Sequence, residues 1–288
     1  MKFLILGDPV LDRFVYGIVH RQSPEDQSIP VIDFVAEDYQ LGGALKTAEC
    51  IRFFSDKLKD EVYVSSIISN FTANMLKQKN IFYDSIIFEE QNKPHVRELI
   101  KERIMHSETH KQFLRLDNRL CFDSGDIQRY KNKCYYYNAK EFDAVIISDY
   151  EKGLVDNFLI EKLKEVQCPF FVDTKKENLS LWSDLKNCFV KINRKEFEKA
   201  KNSDLIENLI VTRGRESTLL ISYGEILKEF TIDNENCIDP YVIGAGDIWL
   251  SAFVVFYMKN KNLHESIMYA NKTATECVKK GKLVKIEN

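Results

Sequence analysis

The 288-residue sequence predicts an α/β fold, in which a central, mostly parallel sheet is covered by helices on both faces and carries a small β-sheet lid. Three observations carry this. Short, continuously apolar runs alternate with segments of helical period, and strands apolar on both sides belong to parallel sheets sandwiched between helices. Residues 13–41 and 94–117 break that rhythm: they are rich in β-branched, aromatic and charged residues without a clean helical period, as projecting β-ribbons are. No internal repeat, low-complexity tract or linker divides the chain, so one domain over residues 1–288 is expected, with the two ribbons inserted in it.

In chain order, "KFLILG" (2–7) is the first strand; its apolar run ends too soon, at Gly7 and Asp8, to be the core of a secretion signal. Residues 43–58 follow as a helix, with the apolar stripe Ala44, Ala48, Ile51, Phe54 and Leu58. Further apolar runs are "VYVSSII", "YDSIIF", "DAVIISD", "FFVD", "FVKIN" and "LIVTRG", and helix-like stretches such as "NFLIEKLKEVQ" and "RKEFEKAKN" follow several of them. In parallel sheets of this kind ligands bind beyond the carboxyl ends of the strands. The residues that end these runs are therefore the first candidates: Asp8, Asp149, Asp173, Asn193, and Thr212, Arg213 and Gly214.

Composition narrows the function classes. With 44% hydrophobic and 30% charged residues and a net charge of −3, nothing electrostatic favours nucleic acid or an anionic membrane surface. No run approaches the ~18 uninterrupted apolar residues of a membrane span. A cytoplasmic protein with no nucleic-acid or membrane partner is expected. The seven cysteines are odd in number and contain no C-x-x-C, which reads as free, mostly buried thiols rather than disulfides or structural zinc. His106 and His110 have the spacing of helical metal ligands, but their flanks read as β-ribbon, where that spacing does not converge on a metal.

The stretch "DPYVIGAGDIWLSAFVVFYMKN" (239–260) holds two of only eleven glycines, Gly244 and Gly246, just before an apolar helical run. Glycines there let the backbone turn tightly into a helix whose first amides, free of internal partners and at the positive end of the dipole, suit a phosphate or a developing anion. Asp247 then reads in two ways: as a favourable first-turn acid, or as a base that accepts the proton of an attacking hydroxyl. The four residues alone do not choose.

Read in order along nearly the whole chain, the motifs resemble the PfkB-type (ribokinase-like) carbohydrate kinase family. "LGGALKTA" (41–48) is similar to its N-terminal Gly-Gly sugar signature, "NRKE" (193–196) to its N-x-x-E element, "VTRG" (211–214) to its nucleotide-side strand end, "GAGD" (244–247) to its anion-hole signature and "ANKTATECV" (270–278) to its adenine-flanking helix. "ILGDPVLDRFVYG", "RQSPEDQSIPVI", "QFLRLD" and "ISDYEKG" resemble one branch more closely, the kinases that act on heptose 7-phosphate. Those relatives carry a separate nucleotidyltransferase domain, and only the kinase half is represented in this sequence.

The resemblance implies ATP-dependent phosphorylation of D-glycero-D-manno-heptose 7-phosphate at the anomeric hydroxyl, with Mg²⁺. It implies Asp247 as general base, with Gly244, Ala245 and Gly246 forming the anion hole. Asn193 and Glu196 would hold magnesium through water, and Thr212, Arg213, Gly214 and Asn271 would lie beside the nucleotide. Asp8, Asp12, Gly42, Gly43, Lys46 and Asp149 would face the sugar, with Arg115 and Lys152 for a phosphate. Lid ribbons in this family pair between subunits, which implies a homodimer. Three positions depart from the pattern. Tyr241 stands where an aspartate usually precedes the anion hole, with Asp239 two residues earlier, in a loop linked to monovalent-cation activation. Lys46 replaces the usual asparagine, and Glu151 replaces a usual glycine. These departures leave room for another sugar or nucleoside as substrate, or for a weakly catalytic sugar-binding paralogue.

Overall fold

The structure is a computed structural model describing residues 1–83, 86–87, 99–118, 122, 124–134, 141–232 and 244–286, with backbone only at 86–87 and 133–134. The chain opens with β1 (Lys2–Gly7), β2 (Pro9–Gln22), β3 (Pro30–Gly43), α1 (Ala44–Phe54), β4 (Glu61–Ser65), β5 (Ile67–Ile68) and α2 (Asn70–Gln78). It continues through β6 (Phe82–Tyr83), β7 (Ile86–Ile87), β8 (Ile100–His106), β9 (Gln112–Asp117), α3 (Ser124–Cys134), β10 (Ala144–Asp149) and α4 (Asn157–Leu163). Then come β11 (Phe170–Thr174), α5 (Ser180–Ser183), β12 (Cys188–Asn193), α6 (Arg194–Phe197) and β13 (Asn208–Thr212). Last are β14 (Ser217–Ser222), β15 (Glu225–Thr231), α7 (Ala245–Asn260) and α8 (Leu263–Lys280).

Nine strands form the main sheet, in the order β15-β14-β13-β12-β11-β10-β1-β4-β6. It is parallel from β6 to β13 and ends in the antiparallel strands β14 and β15. Because side chains alternate across a strand, each apolar run feeds two cores at once. Phe3, Ile5, Ile146, Phe171 and Phe189 pack with α1, α7 and α8 on one face. Leu4, Leu6, Val145, Ile147, Phe170 and Val172 pack with α4 and α5 on the other. This two-sided burial is why the strands are apolar without alternation.

The expected ribbons meet in one separate sheet, β3-β2-β8-β9. β2 pairs antiparallel with β3 and parallel with β8. Both long strands reach the main body: β2 starts at Pro9, directly after Asp8, and β3 ends on Gly42 and Gly43. The lid is thus continuous with the residues at the end of β1.

Three expected elements come out differently. The helix expected over 43–58 stops at Phe54, and Leu58 is 95% exposed. The Asp56 carboxylate accepts the Leu58 amide and Asp60 accepts the Asp56 amide, a local turn that competes with the helix. "RKEFEKAKN" forms a single turn, α6, and "YDSIIF" splits between β6 in the main sheet and β7 paired with β5. His106 and His110 lie at the tip of the β8–β9 ribbon, where His110 takes a left-handed backbone (φ 54°) and stacks edge-on against Tyr16. Among the described residues Cys50, Cys168, Cys188 and Cys277 are free thiols, and no helix is long and apolar enough to cross a membrane.

Candidate active site

Helix α7 starts at the glycine motif. Gly244 takes the left-handed conformation (φ 75°) that favours glycine, and the helix begins at the next residue. Gly246 lies close to the sheet: a Cβ there would stand 2.9 Å from Lys191 Nζ. The N-terminal turn of α7 therefore sits directly over β11 and β12, where Lys191 pairs with Asp173 in register. That pair spans 2.7 Å with side chains only 4% and 5% exposed. Asp173 Oδ1 is buried without a hydrogen-bond partner among the described residues.

Asp247 is buried on this floor, and its Oδ1 accepts a hydrogen bond from Thr47 Oγ1 of α1 at 3.0 Å. Burial pushes its carboxyl up to about 6 and the Asp173 charge adds to the rise, while Lys191, the Thr47 hydroxyl and Lys175 oppose it. A carboxylate so placed is matched to proton uptake near neutral pH.

The Gly-Gly turn faces the same place. A Cβ on Gly42 would meet Asp12 Oδ2 at 2.6 Å, and one on Gly43 (φ 56°) would meet the Asp8 carbonyl at 2.6 Å and Tyr150 Cε2 at 3.5 Å. Asp12 pairs with Arg103 of β8, both buried. Lys46, two residues into α1, runs against Gly244 and pairs with Glu49 at 2.8 Å.

The structure gives two candidate sugar ligands a different task. Asp8 is fully buried, and its oxygens accept the backbone amides of Tyr150 (2.8 Å), Lys152 (3.1 Å) and Leu154 (3.4 Å). Burial pushes this carboxyl up to about 6 as well, against those amides. Asp149 is buried between Thr174 Oγ1 (2.9 Å) and Lys176 Nζ (3.1 Å). Both carboxylates build the 149–154 loop and have few lone pairs left for a ligand. In that loop Glu151 holds φ 57°, the backbone region in which glycine is at ease, so the usual glycine has a conformational reason. Lys152 is partly exposed and forms no ion pair among the described residues.

On the expected nucleotide side, Asn193 and Glu196 form a reciprocal cap at the start of α6: each side chain accepts the other's backbone amide, at 3.1 and 2.7 Å. The second Glu196 oxygen pairs with Lys175. Among the described residues no three acidic, histidine or cysteine side chains converge on a metal. Glu196 and Asp173 carry hard carboxylate oxygens of the kind that would hold Mg²⁺ through water. Thr212 ends β13, Arg213 is tied to Ser217 and Glu229, and a Cβ on Gly214 (φ 64°) would meet open space. Asn271 is buried, its Oδ1 accepting Thr218 Oγ1 (2.8 Å) and Trp249 Nε1 (2.7 Å), while its Nδ2 has no partner among the described residues.

Several site residues escaped the sequence reading. Tyr150 touches the Gly43 position, and its phenol is held well above the usual range by the Asp247 charge first, then by burial. Lys101 of the lid lies 4.8 Å and Lys175 of the floor 5.4 Å from its ring centroid, so the ring joins lid to floor. Lys101, Arg103 and Arg115 share one face of the lid, since Lys101 lies opposite Asp12 and Asp117 and Arg103 opposite Arg115. Lys191 was visible as a lysine inside "FVKIN", but nothing in the sequence named its partner. Residues 239–241, the loop before the anion hole, lie outside the described residues.

The chain is similar to known proteins in sequence and in fold. The chain is 28% identical over 297 residues to the bifunctional protein HldE of a Nitratiruptor species and 25% identical over 311 residues to that of Campylobacter curvus. These matches cover 95% and 97% of this chain but 60% and 62% of the relatives, so the chain spans about three fifths of their length. In fold it resembles a mutant phosphofructokinase-2 from Escherichia coli (TM-score 0.72, 14% identity, 98% of this chain and 94% of that one). It also resembles a nucleoside kinase from Methanocaldococcus jannaschii (TM-score 0.63, 19% identity, 96% and 91%). The sequence pattern of the pfkB family carbohydrate kinases matches residues 137–285, just over half of the chain, which includes β10 through α8. The chain belongs to the pfkB family of carbohydrate kinases.

Proposed function

We propose that this carbohydrate kinase moves the γ-phosphoryl group of ATP to the anomeric hydroxyl of D-glycero-D-manno-heptose 7-phosphate. The observation that carries the substrate class is Lys101 on the lid face above the floor. Lys101, Arg103 and Arg115 share that face with Asp12, Asp38 and Asp117; Arg103 pairs with Asp12 and Arg115 with Asp117, which leaves Lys101 without an ion pair among the described residues. Burial pulls the Lys101 ammonium down while the Asp12 charge opposes that pull, so this cation gains from an anionic partner. A sugar that already carries a phosphate supplies one. The sequence likeness to the heptose-phosphate kinases points the same way.

In the transfer, the Asp247 carboxylate takes the hydroxyl proton as the sugar oxygen bonds to phosphorus. The bond from phosphorus to the β,γ-bridging oxygen breaks, and ADP leaves with that electron pair. The amides at the start of α7 receive charge building on the phosphoryl oxygens. Asn193 and Glu196 hold the start of α6, and Asp173 with Lys191 holds the floor on which Asp247 stands. Bound Mg²⁺ would supply charge neutralisation of the nucleotide phosphates. Leu114 and Leu116 lie on the opposite face of β9 from Arg115 and are 52% and 51% exposed, which supports a homodimer through the lid; sedimentation velocity tests it.

The test of the activity is ADP release across sugars, sugar phosphates and nucleosides. The heptose 7-phosphate should give the highest kcat/KM, and its unphosphorylated form should be poorer by ~10²-fold or more, the scale of losing a well-placed phosphate contact. Preference for an unphosphorylated sugar or a nucleoside overturns the substrate; no turnover with any acceptor points to a sugar-binding paralogue.

A further inference from the structure

Lys46 stands where the sequence pattern leads one to expect a neutral side chain, and its surroundings are built for a cation that moves. Its Cε and Cγ lie 3.5 and 3.7 Å from where a Cβ of Gly244 would stand, so the alkyl chain rests on the first residue of the anion-binding turn. The same point is 3.9 Å from Asp247 Oδ2, so Lys46 and the base flank one glycine. The side chain is only 20% exposed. Its ammonium is held at 2.8 Å by Glu49 Oε2, pointing along α1.

Glu49 does not depend on it. The other oxygen, Oε1, takes Lys79 Nζ at 2.6 Å from the end of α2. One carboxylate thus serves two lysines. If Lys46 leaves, Glu49 keeps a counter-ion and no charge is stranded in a half-buried place, the usual obstacle to breaking such a pair. With Cε already against Gly244, rotation at the end of its flexible four-carbon stem redirects the ammonium, and the turn it rests on has backbone amides suited to an anion.

We propose that Lys46 is a catalytic cation: on nucleotide binding its ammonium leaves Glu49 for an oxygen of the phosphoryl group in transit, while Lys79 keeps Glu49 neutralised. Lys46 adds a side-chain charge to an anion hole otherwise made of backbone amides, and Glu49 and Lys79 are positioning residues. The inference rests on the phosphotransfer reading but not on which sugar is the acceptor.

Two measurements test it. Calorimetry with ADP and with the β,γ-imido analogue of ATP, both with Mg²⁺ and without sugar, reads the contact to the last phosphate. In Lys46→Met the analogue should lose ~10-fold in affinity and ADP less than twofold, with Lys46→Arg recovering most of the loss. In ADP-release assays Lys46→Met should lower kcat by ~10²-fold while the sugar KM stays within twofold. Lys79→Met, at a more exposed position, should lower kcat several-fold by tightening the Lys46–Glu49 pair, and adding Glu49→Gln should restore it. Unchanged analogue binding in Lys46→Met overturns the proposal, as does a raised sugar KM at constant kcat, which would make Lys46 a reader of the acceptor. If the unaltered protein turns over no sugar and Lys46→Met still loses analogue affinity selectively, the sugar-kinase reading fails and the Lys46 contact stands.

Discussion

The floor and the lid of this site use charge in opposite ways. On the floor, Asp247, Thr47, Asp173 and Lys191 are nearly inaccessible and set on strand ends and helix starts. On the lid, Arg115 and Asp117 pair at 44% and 47% exposure, and Arg13 and Glu37 at 27% and 39%. A charge in the dry floor is worth several times the same charge in water, whereas these two outer lid pairs are screened and easily exchanged; the inner lid pair, Arg103 with Asp12, is buried like the floor. Proton transfer needs a fixed geometry and a shifted carboxyl; substrate capture needs side chains that can trade one partner for another. The division of labour follows from burial.

The largest expected effect is on the floor. Asp247→Asn should lower kcat by roughly 10²-fold or more, while ADP binding survives because the glycine amides remain. Near-unchanged turnover would reduce Asp247 to a first-turn acid and erase the distinction between the regions. Next, Lys191→Met leaves Asp173 charged and unpaired beneath α7, which should cost about 3–5 kcal/mol in urea unfolding, most of it recovered by adding Asp173→Asn. A cost under ~1 kcal/mol would mean that water reaches the floor. On the lid the effect should be smaller and of another kind: Lys101→Met should raise KM for the sugar phosphate ~10-fold with KM for ATP unchanged. A rise in KM for ATP instead would move Lys101 to the nucleotide side.

The same contrast explains what could be read from the sequence. The strand ends were legible because each apolar run stops at a polar residue, and the two glycine turns because backbone strain and close approach leave few other choices at Gly43 and Gly244. Asp8, Asp149 and Asp247, however, look alike in sequence, each an aspartate beside an apolar stretch. Their roles separate only when their oxygens are followed: loop amides fill Asp8, Thr174 and Lys176 fill Asp149, and Asp247 keeps one oxygen free of any hydrogen bond recorded among the described residues. Lys101, Arg103 and Tyr150 went unseen because ribbon register decides which side chains face inward, and composition does not encode register. Lys191 needed a partner 18 positions away in sequence and one strand away in space.

The central claim is that Asp247 is a base whose carboxyl, raised by burial, takes the proton of the sugar hydroxyl. The sign is definite. A base works deprotonated, so kcat/KM should be level above pH ~7 and fall ~10-fold per unit below about 6. The same raised carboxyl acts on stability in the opposite sense: its contribution is fully present below the ordinary 3.8 and lost as pH rises through about 6, and Asp8 adds to the trend. The most direct measurement is therefore the pH profile of kcat/KM between about 4.5 and 8.5, in steps of about half a unit, on the unaltered protein with its best sugar phosphate. An acid limb of unit slope centred near 6, in the window where the unfolding free energy declines, is the predicted result. A profile flat through that window would contradict the account.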